Sequence, residues 1–263
     1  EKKVSREELL AAECESYHGP GTCTFYGTAN SNQMLMEFMG LHLPGAAFVN
    51  ANTPLRDALT RAATQRAIAI SNLGSDFTPL SEVISEKSIV NGIVGLLSTG
   101  GSTNHTLHIP AIARAAGIHV TWDDFAELSE VVPLLTRIYP NGQADVNHFH
   151  AAGGVGYLMR QLLDAGLVHA DVRTVVGNGL EAYCDEPSLV DGQADWAPAP
   201  TMSGDAEVLT TMDAPFDDEG GMKCVDGDLG RGIVKVSAVA ADKRKITAPV
   251  KIFHDQDDVV AAF

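Results

Sequence analysis

The chain has 263 residues, is 45% hydrophobic, and sets 18 Lys and Arg against 34 Asp and Glu for a formal charge of −16. That length buries a sizeable core in one large or two smaller domains, and the negative charge repels nucleic acid and anionic membrane surfaces. No apolar run approaches the ~20 residues of a membrane span, and the N-terminal EKKVSREELL lacks the apolar core of a signal peptide, which predicts a cytoplasmic chain with neither a nucleic-acid nor a membrane partner.

Helices dominate the first two thirds. REELLAAECESY (6–17) is amphipathic at helical spacing, and SNQMLMEFMGLHLPG (31–45) follows, with Gly45 after Pro44 as its stop. TPLRDALTRAATQRAIAI (53–70) has Thr53 as cap and Pro54 in its first turn. Helices over 86–98 and 104–117 flank the loop TGGST, and TWDDFAELSEVVPLL (121–135) opens on a Thr cap with an acidic first turn. AAGGVGYLMRQLLDAGL (151–167) reads as another buried helix. From about Thr201 the texture changes to short β-branched runs, EVLTTM, GMKCVDG, GIVKVSAVA and APVKIFH, separated by Gly, Asp and Pro, as in antiparallel strands. A boundary is predicted at 195–205. The chain starts without Met inside a helix-like pattern and stops in DQDDVVAAF without cap or polar tail, so it reads as a piece of a longer one.

Four cysteines, Cys14, Cys23, Cys184 and Cys224, lie far apart with no CxxC pair, which argues against a disulfide scaffold or a self-contained zinc site. Cys23 stands out within HGPGTCTFYGTANSNQ (18–33): it sits in a Gly/Thr-rich turn just before a helix capped by Asn30 or Ser31, surroundings that suit a nucleophile or a metal ligand better than an inert core thiol. The other three read as incidental thiols. In STGGSTN (98–104), Gly100 and Gly101 lead to Ser102 or Thr103 as cap of the next helix; free amides and hydroxyls there suit an anion, although a tight corner whose caps satisfy their own backbone fits equally well. His148 and His150 share a face if NHFH is extended, which allows a two-ligand metal arrangement but favours a structural or substrate-proximal role, and His105 and His108 share a helix face suited to core or interhelical hydrogen bonding in preference to pointing one of them at the site. GDLGRG (227–232) reads as a hairpin turn and FDDEGG (216–221) as a solvated one.

Taken in order, GTCTFYGTANSNQMLMEFMGLHLPG (21–45), GGSTNHTLH (100–108), WDDFAELSEVVPLL (122–135), HFHAAGG (148–154) and GDLGRG (227–232) resemble the dihydroxy-acid dehydratase and 6-phosphogluconate dehydratase family over nearly the whole chain. CTFYGTANSNQ, VNGIVGLLSTGGSTNHTLHI and RIYPNGQADVNHFHAAGG look like its 6-phosphogluconate branch. The resemblance implies an α/β fold: a mainly helical later part of an N-terminal catalytic domain (1–200), then the start of a β-barrel-like C-terminal domain (201–263). It implies an iron–sulfur hydro-lyase that turns 6-phospho-D-gluconate into 2-dehydro-3-deoxy-6-phosphogluconate and water in the Entner–Doudoroff route. A dihydroxy-acid or aldonic-acid dehydratase, or an inactive structural module, is the alternative. Cys23 matches the last cluster ligand, and Ser102, Thr103 and Asn104 become substrate-binding candidates. The implied cofactors are a 4Fe-4S cluster in preference to 2Fe-2S and a divalent cation such as Mg or Mn; the implied partners are a phosphorylated sugar acid and, at full length, a second copy in a homodimer. The catalytic base and the other ligands have no match in this sequence.

Overall fold

The computed structural model describes residues 4–15, 23 and 25–263. Its helices are α1 (Arg6–Glu15), α2 (Thr28–Phe38), α3 (Pro54–Ala69), α4 (Leu80–Val83), α5 (Glu86–Thr99), α6 (His105–Ala115), α7 (Trp122–Ser129), α8 (Val146–Ala151), α9 (Gly154–Asp164) and α10 (Gln256–Ala262). The strands form three two-stranded antiparallel sheets: β1 (Arg173–Thr174) with β2 (Gly177–Asn178), β3 (Asp185–Val190) with β4 (Gln193–Pro198), and β5 (Lys223–Gly227) with β6 (Gly230–Val234). This is a mixed helical and β architecture without a closed barrel among the described residues. No described helix is long and apolar enough to cross a membrane.

The core is organised around α5, which is buried from Ile89 to Thr99 save for the half-buried Val90. Its all-round burial follows from the run IVNGIVGLL, which leaves no polar face for solvent. Helix α2 crosses it at two glycines. A Cβ on Gly95 would come within 2.6 Å of the Phe38 ring, and one on Gly92 within 2.9 Å of Met39, so only glycine lets the two backbones approach this closely. Around them pack Tyr26, Leu135, Phe149, Leu158 and Tyr183, all at most 1% exposed.

Several predicted boundaries move, each for a local reason. Helix α2 starts at Thr28, with Gly27 as N-cap, so Asn30 and Ser31 lie inside its first turn and do not cap it. It stops at Phe38, well short of Gly45: Gly40 takes φ +71° and the Leu41 N–H donates to the Met36 carbonyl at 2.8 Å, a left-handed Schellman stop. Helix α7 keeps its Thr121–Asp124 capping box but ends at Ser129, since Pro133 has no N–H to donate to the Ser129 carbonyl four residues back; Leu134 and Thr136 instead bridge to Asp217 and Leu209. The helix expected over 151–167 is split by Gly153 (φ +128°) and Gly154 (φ +55°) into α8 and α9. The Thr53 cap and Pro54 start of α3 are as expected, with the Arg56 N–H donating to the Thr53 hydroxyl at 3.2 Å.

Of the four strand runs after Thr201, GMKCVDG and the first part of GIVKVSAVA form the β5–β6 hairpin, whose two-residue turn, Asp228–Leu229, falls in GDLGRG. EVLTTM contributes a single bridge and 248–254 joins no sheet. Residues 16–17 of the first predicted helix and 18–22 of the glycine-rich stretch lie outside the described residues.

Candidate functional site

Cys23 is exposed, and its backbone is pinned from inside α2: the Asn30 side-chain amide donates to the carbonyls of Cys23 (2.9 Å) and Phe25 (2.8 Å). Tyr26 ties the segment to the core, its N–H donating to the Tyr139 carbonyl at 2.8 Å and its hydroxyl to Thr99 Oγ1 at 2.9 Å. A mobile thiol cannot hold a ligand in fixed geometry, and these bonds restrain the chain on the C-terminal side of Cys23.

Cys23 lines a pocket of about 200 Å³ with Asn30, Gln33, Phe48, Asn50 and Arg56 among its walls. Arg56, in the first turn of α3, is half-buried; its Nε donates to the Val49 carbonyl at 3.1 Å and its Nη2 to the carbonyls of Ala46 and Val49. Behind it lies Glu37, fully buried on α2, whose carboxyl accepts N–H bonds from Gly45 (2.9 Å) and Ala47 (2.6 Å). Desolvation outweighs those amides and the Arg56 charge and pushes the Glu37 carboxyl up to about 8, so at neutral pH it retains most of its proton. Burial, helped by the Arg56 charge, also holds His42 and His150 below the usual histidine range.

The glycine-rich segment 100–104 docks on the same first turn of α2, so the structure brings together the two segments singled out in the sequence. Thr28 Oγ1 and Ser102 Oγ are 2.9 Å apart, Asn104 Nδ2 donates to Thr28 Oγ1 at 2.8 Å, and the Ser102 N–H donates to Ser31 Oγ at 3.3 Å. The N-cap of α6 is Asn104, without a side-chain capping bond, and not Ser102 or Thr103; Ser102 Oγ instead accepts from the Asn104 N–H at 3.3 Å. The His105 N–H goes to the Ser102 carbonyl at 3.1 Å. On the other side Asn141 Nδ2 donates to the Gly100 carbonyl at 3.0 Å, and a Cβ on Gly101 would lie 2.5 Å from Leu96 and 3.1 Å from Ser31. Ser102 and Asn104 thus hold α2 and α6 together through most of their polar atoms. Half-buried Thr103 stands between them.

His105 is 1% exposed and its Nε2 sits 2.9 Å from Ser31 Oγ, the interhelical bond the spacing suggested; burial, then the nearby His108, brings its pKa down to about 4. His148 and His150 lie on helical α8, not an extended segment, so a spacing of two does not put them on one face. His148 Nδ1 meets the Asp145 carboxylate at 2.8 Å in a capping box. Sequence reasoning missed Asn30 as the clamp on the cysteine segment, and Arg56 and Glu37 altogether. Only the buried, lone acid in the apolar run MLMEFMG offered a signal for Glu37.

None of the remaining cysteines is among the described residues that line the Cys23 pocket. Cys14 is exposed on α1; burial pushes half-buried Cys184 up to about 11; Cys224 donates to the Trp122 carbonyl at 3.2 Å. Among the described residues no group of three or more His, Cys, Asp or Glu is placed to hold a metal ion. The donor set among the described residues therefore fits one corner of a thiolate-ligated cluster, at Cys23.

The dihydroxy-acid/6-phosphogluconate dehydratase N-terminal model matches residues 1–183 and its C-terminal counterpart residues 207–263. The phosphogluconate dehydratases of Rhizobium meliloti and Pseudomonas aeruginosa are 62% and 60% identical to the chain over its whole length, which covers 44% and 43% of theirs. A dihydroxy-acid dehydratase of Parasynechococcus marenigrum is 31% identical over 98% of the chain, again 44% of that protein. The chain thus spans less than half the length of the curated relatives it matches.

Proposed function

From the premise that this chain belongs to the dihydroxy-acid/6-phosphogluconate dehydratase family, we propose that it forms part of a cytoplasmic phosphogluconate dehydratase of the Entner–Doudoroff route. In that reaction 6-phospho-D-gluconate loses the C2 proton and the C3 hydroxyl as water, and the enol left behind becomes 2-dehydro-3-deoxy-6-phosphogluconate. Exposed Cys23 on the wall of a polar pocket is the observation that carries this reading. Residues 1–200 belong to the catalytic N-terminal domain and 201–263 begin a β-barrel-like C-terminal one, the whole enzyme acting as a homodimer.

Cys23 would hold an iron–sulfur cluster, of the four-iron type, together with thiolates from beyond this chain. When bound, such a cluster supplies a Lewis-acidic iron for a departing hydroxyl, with a divalent cation, Mg or Mn, ligated elsewhere. The chain's own contribution is positional: Asn30 fixes the cysteine segment, and Ser102 and Asn104 brace the helix start behind it through Thr28.

The test is turnover by the complete, cluster-loaded protein on 6-phosphogluconate, gluconate and a branched 2,3-dihydroxy acid, followed by release of the 2-keto product. The reading expects kcat/KM for 6-phosphogluconate to exceed the other two by at least about 100-fold, since a site built to bind one anionic group discriminates strongly against analogues lacking it. Preference for the branched acid would move the protein to the other branch of the family.

A further inference from the structure

Among the described residues that line the pocket beside Cys23 there is one formal charge, and it is positive. Arg56 has no carboxylate within ion-pair distance among the described residues, and Glu37 behind it carries a proton at neutral pH for most of the population. Its Nε and Nη2 are fixed on backbone carbonyls, which sets the plane of the guanidinium, while Nη1 has no partner among the described residues. The side-chain amides of Gln33 and Asn50 on the same wall are likewise without partners among the described residues. A half-buried cation held rigid and left unpaired loses hydration without an internal ion pair to offset it, a cost that an incoming anion would relieve. In a chain of net charge −16, a pocket with no acidic residue among its described lining also spares an anion the repulsion of adjacent carboxylates.

We propose that this pocket is the seat of an oxyanion, the terminal phosphate or carboxylate of the sugar acid, gripped by Arg56 with Gln33 and Asn50 as neutral donors. Identifying the ligand as a sugar acid rests on the function proposed above; the oxyanion chemistry does not. Guanidinium suits either end group because its fork matches two oxygens at once, and about 200 Å³ accommodates one end group, with the apolar Phe48 and Val146 closing the wall.

The test titrates the purified 263-residue chain with orthophosphate, gluconate and 6-phosphogluconate by calorimetry, comparing Arg56→Gln and the double variant Gln33→Leu/Asn50→Ala with the parent. Loss of the charged donor should weaken binding about tenfold or more, and loss of the two neutral donors about fivefold. Orthophosphate that binds and competes with 6-phosphogluconate assigns the phosphate end; gluconate that binds while orthophosphate does not assigns the carboxylate end. Arg56→Gln also removes the clamp on Ala46 and Val49, so if that variant does not fold the double variant, which keeps the clamp, decides. No binding of any of the three anions, or equal affinity in the parent and the double variant, overturns the proposal. A complete protein that binds the anions here yet dehydrates none of the three acids would sink the proposed function and leave the oxyanion pocket standing.

Discussion

Two regions meet on the first turn of α2 and differ in what their polar groups are doing. The corner at 100–104 looks like an anion loop in sequence, with paired glycines, hydroxyls and a helix start, yet the amides of Ser102, Asn104 and His105 and the hydroxyl of Ser102 all have protein partners. The pocket at Cys23 shows no such motif, yet it holds an exposed cysteine and, among the described residues, two side-chain amides without partners and a guanidinium without a carboxylate. Binding needs polar groups that folding leaves unsatisfied, and a motif records composition without recording satisfaction.

The harshest way to break the comparison is Cys23→Ser in the complete protein. Cluster absorbance and dehydratase activity should both vanish, because a hydroxyl is a far poorer ligand for iron than a thiolate, while Cys14→Ala, Cys184→Ala and Cys224→Ala keep both. A Cys23→Ser protein with full iron content and normal rate would remove Cys23 from the site.

Next in size is Gly101→Val. If the corner is a packed joint, the added side chain collides with Leu96 and Ser31 and costs roughly 3 kcal/mol in a denaturant titration, with anion affinity unchanged in the molecules that remain folded. Normal stability with weakened anion binding would instead make the corner a ligand loop.

Ser31→Ala is gentler. It strands His105 Nε2 in the core and deprives the Ser102 N–H of its acceptor, which should cost about 1–3 kcal/mol without touching the Cys23 pocket. An equal loss in orthophosphate affinity would show that the two regions are not separable.

The smallest effect is a shape in pH. His105, His42 and His150 have folded pKa values below their ordinary one, so the unfolded chain takes protons first and stability falls as pH drops below about 6.5. Glu37 is raised from 4.5 to about 8, so the unfolded chain loses its proton first and stability also falls as pH climbs from 6.5 towards 8. Stability should peak near pH 6.5, and Glu37→Gln should flatten the alkaline side. An alkaline limb unchanged in Glu37→Gln would show that Glu37 is ionised in the folded state.

Much of the helical scaffold was legible because its signals are local: Thr53 before Pro54, the Thr121–Asp124 box and the apolar run of α5 each act within a turn or two. The boundaries that moved depend on competition between equally local signals. Gly40 stops α2 before Gly45 can, and Pro133 overrides a helical apolar pattern because it has no N–H to donate. In the site, Cys23 was visible as a reactive residue in unusual company. Arg56 was not, since an arginine in the first turn of TPLRDALTR resembles any solvent-facing helix residue; its role appears only when Ala46 and Val49 fold back across it. Nor could spacing say which amides of 100–104 would be taken, because Thr28 and Ser31 reach them from more than seventy residues away.

The claim that the open groups lie at Cys23 and not at the glycine corner is tested most directly by following the amide resonances of the isotopically labelled chain as 6-phosphogluconate is added. The account predicts that the side-chain amides of Gln33 and Asn50 shift while the backbone amides of Ser102, Asn104 and His105 stay in place. Shifts centred on 102–105, with Gln33 and Asn50 unmoved, would contradict it.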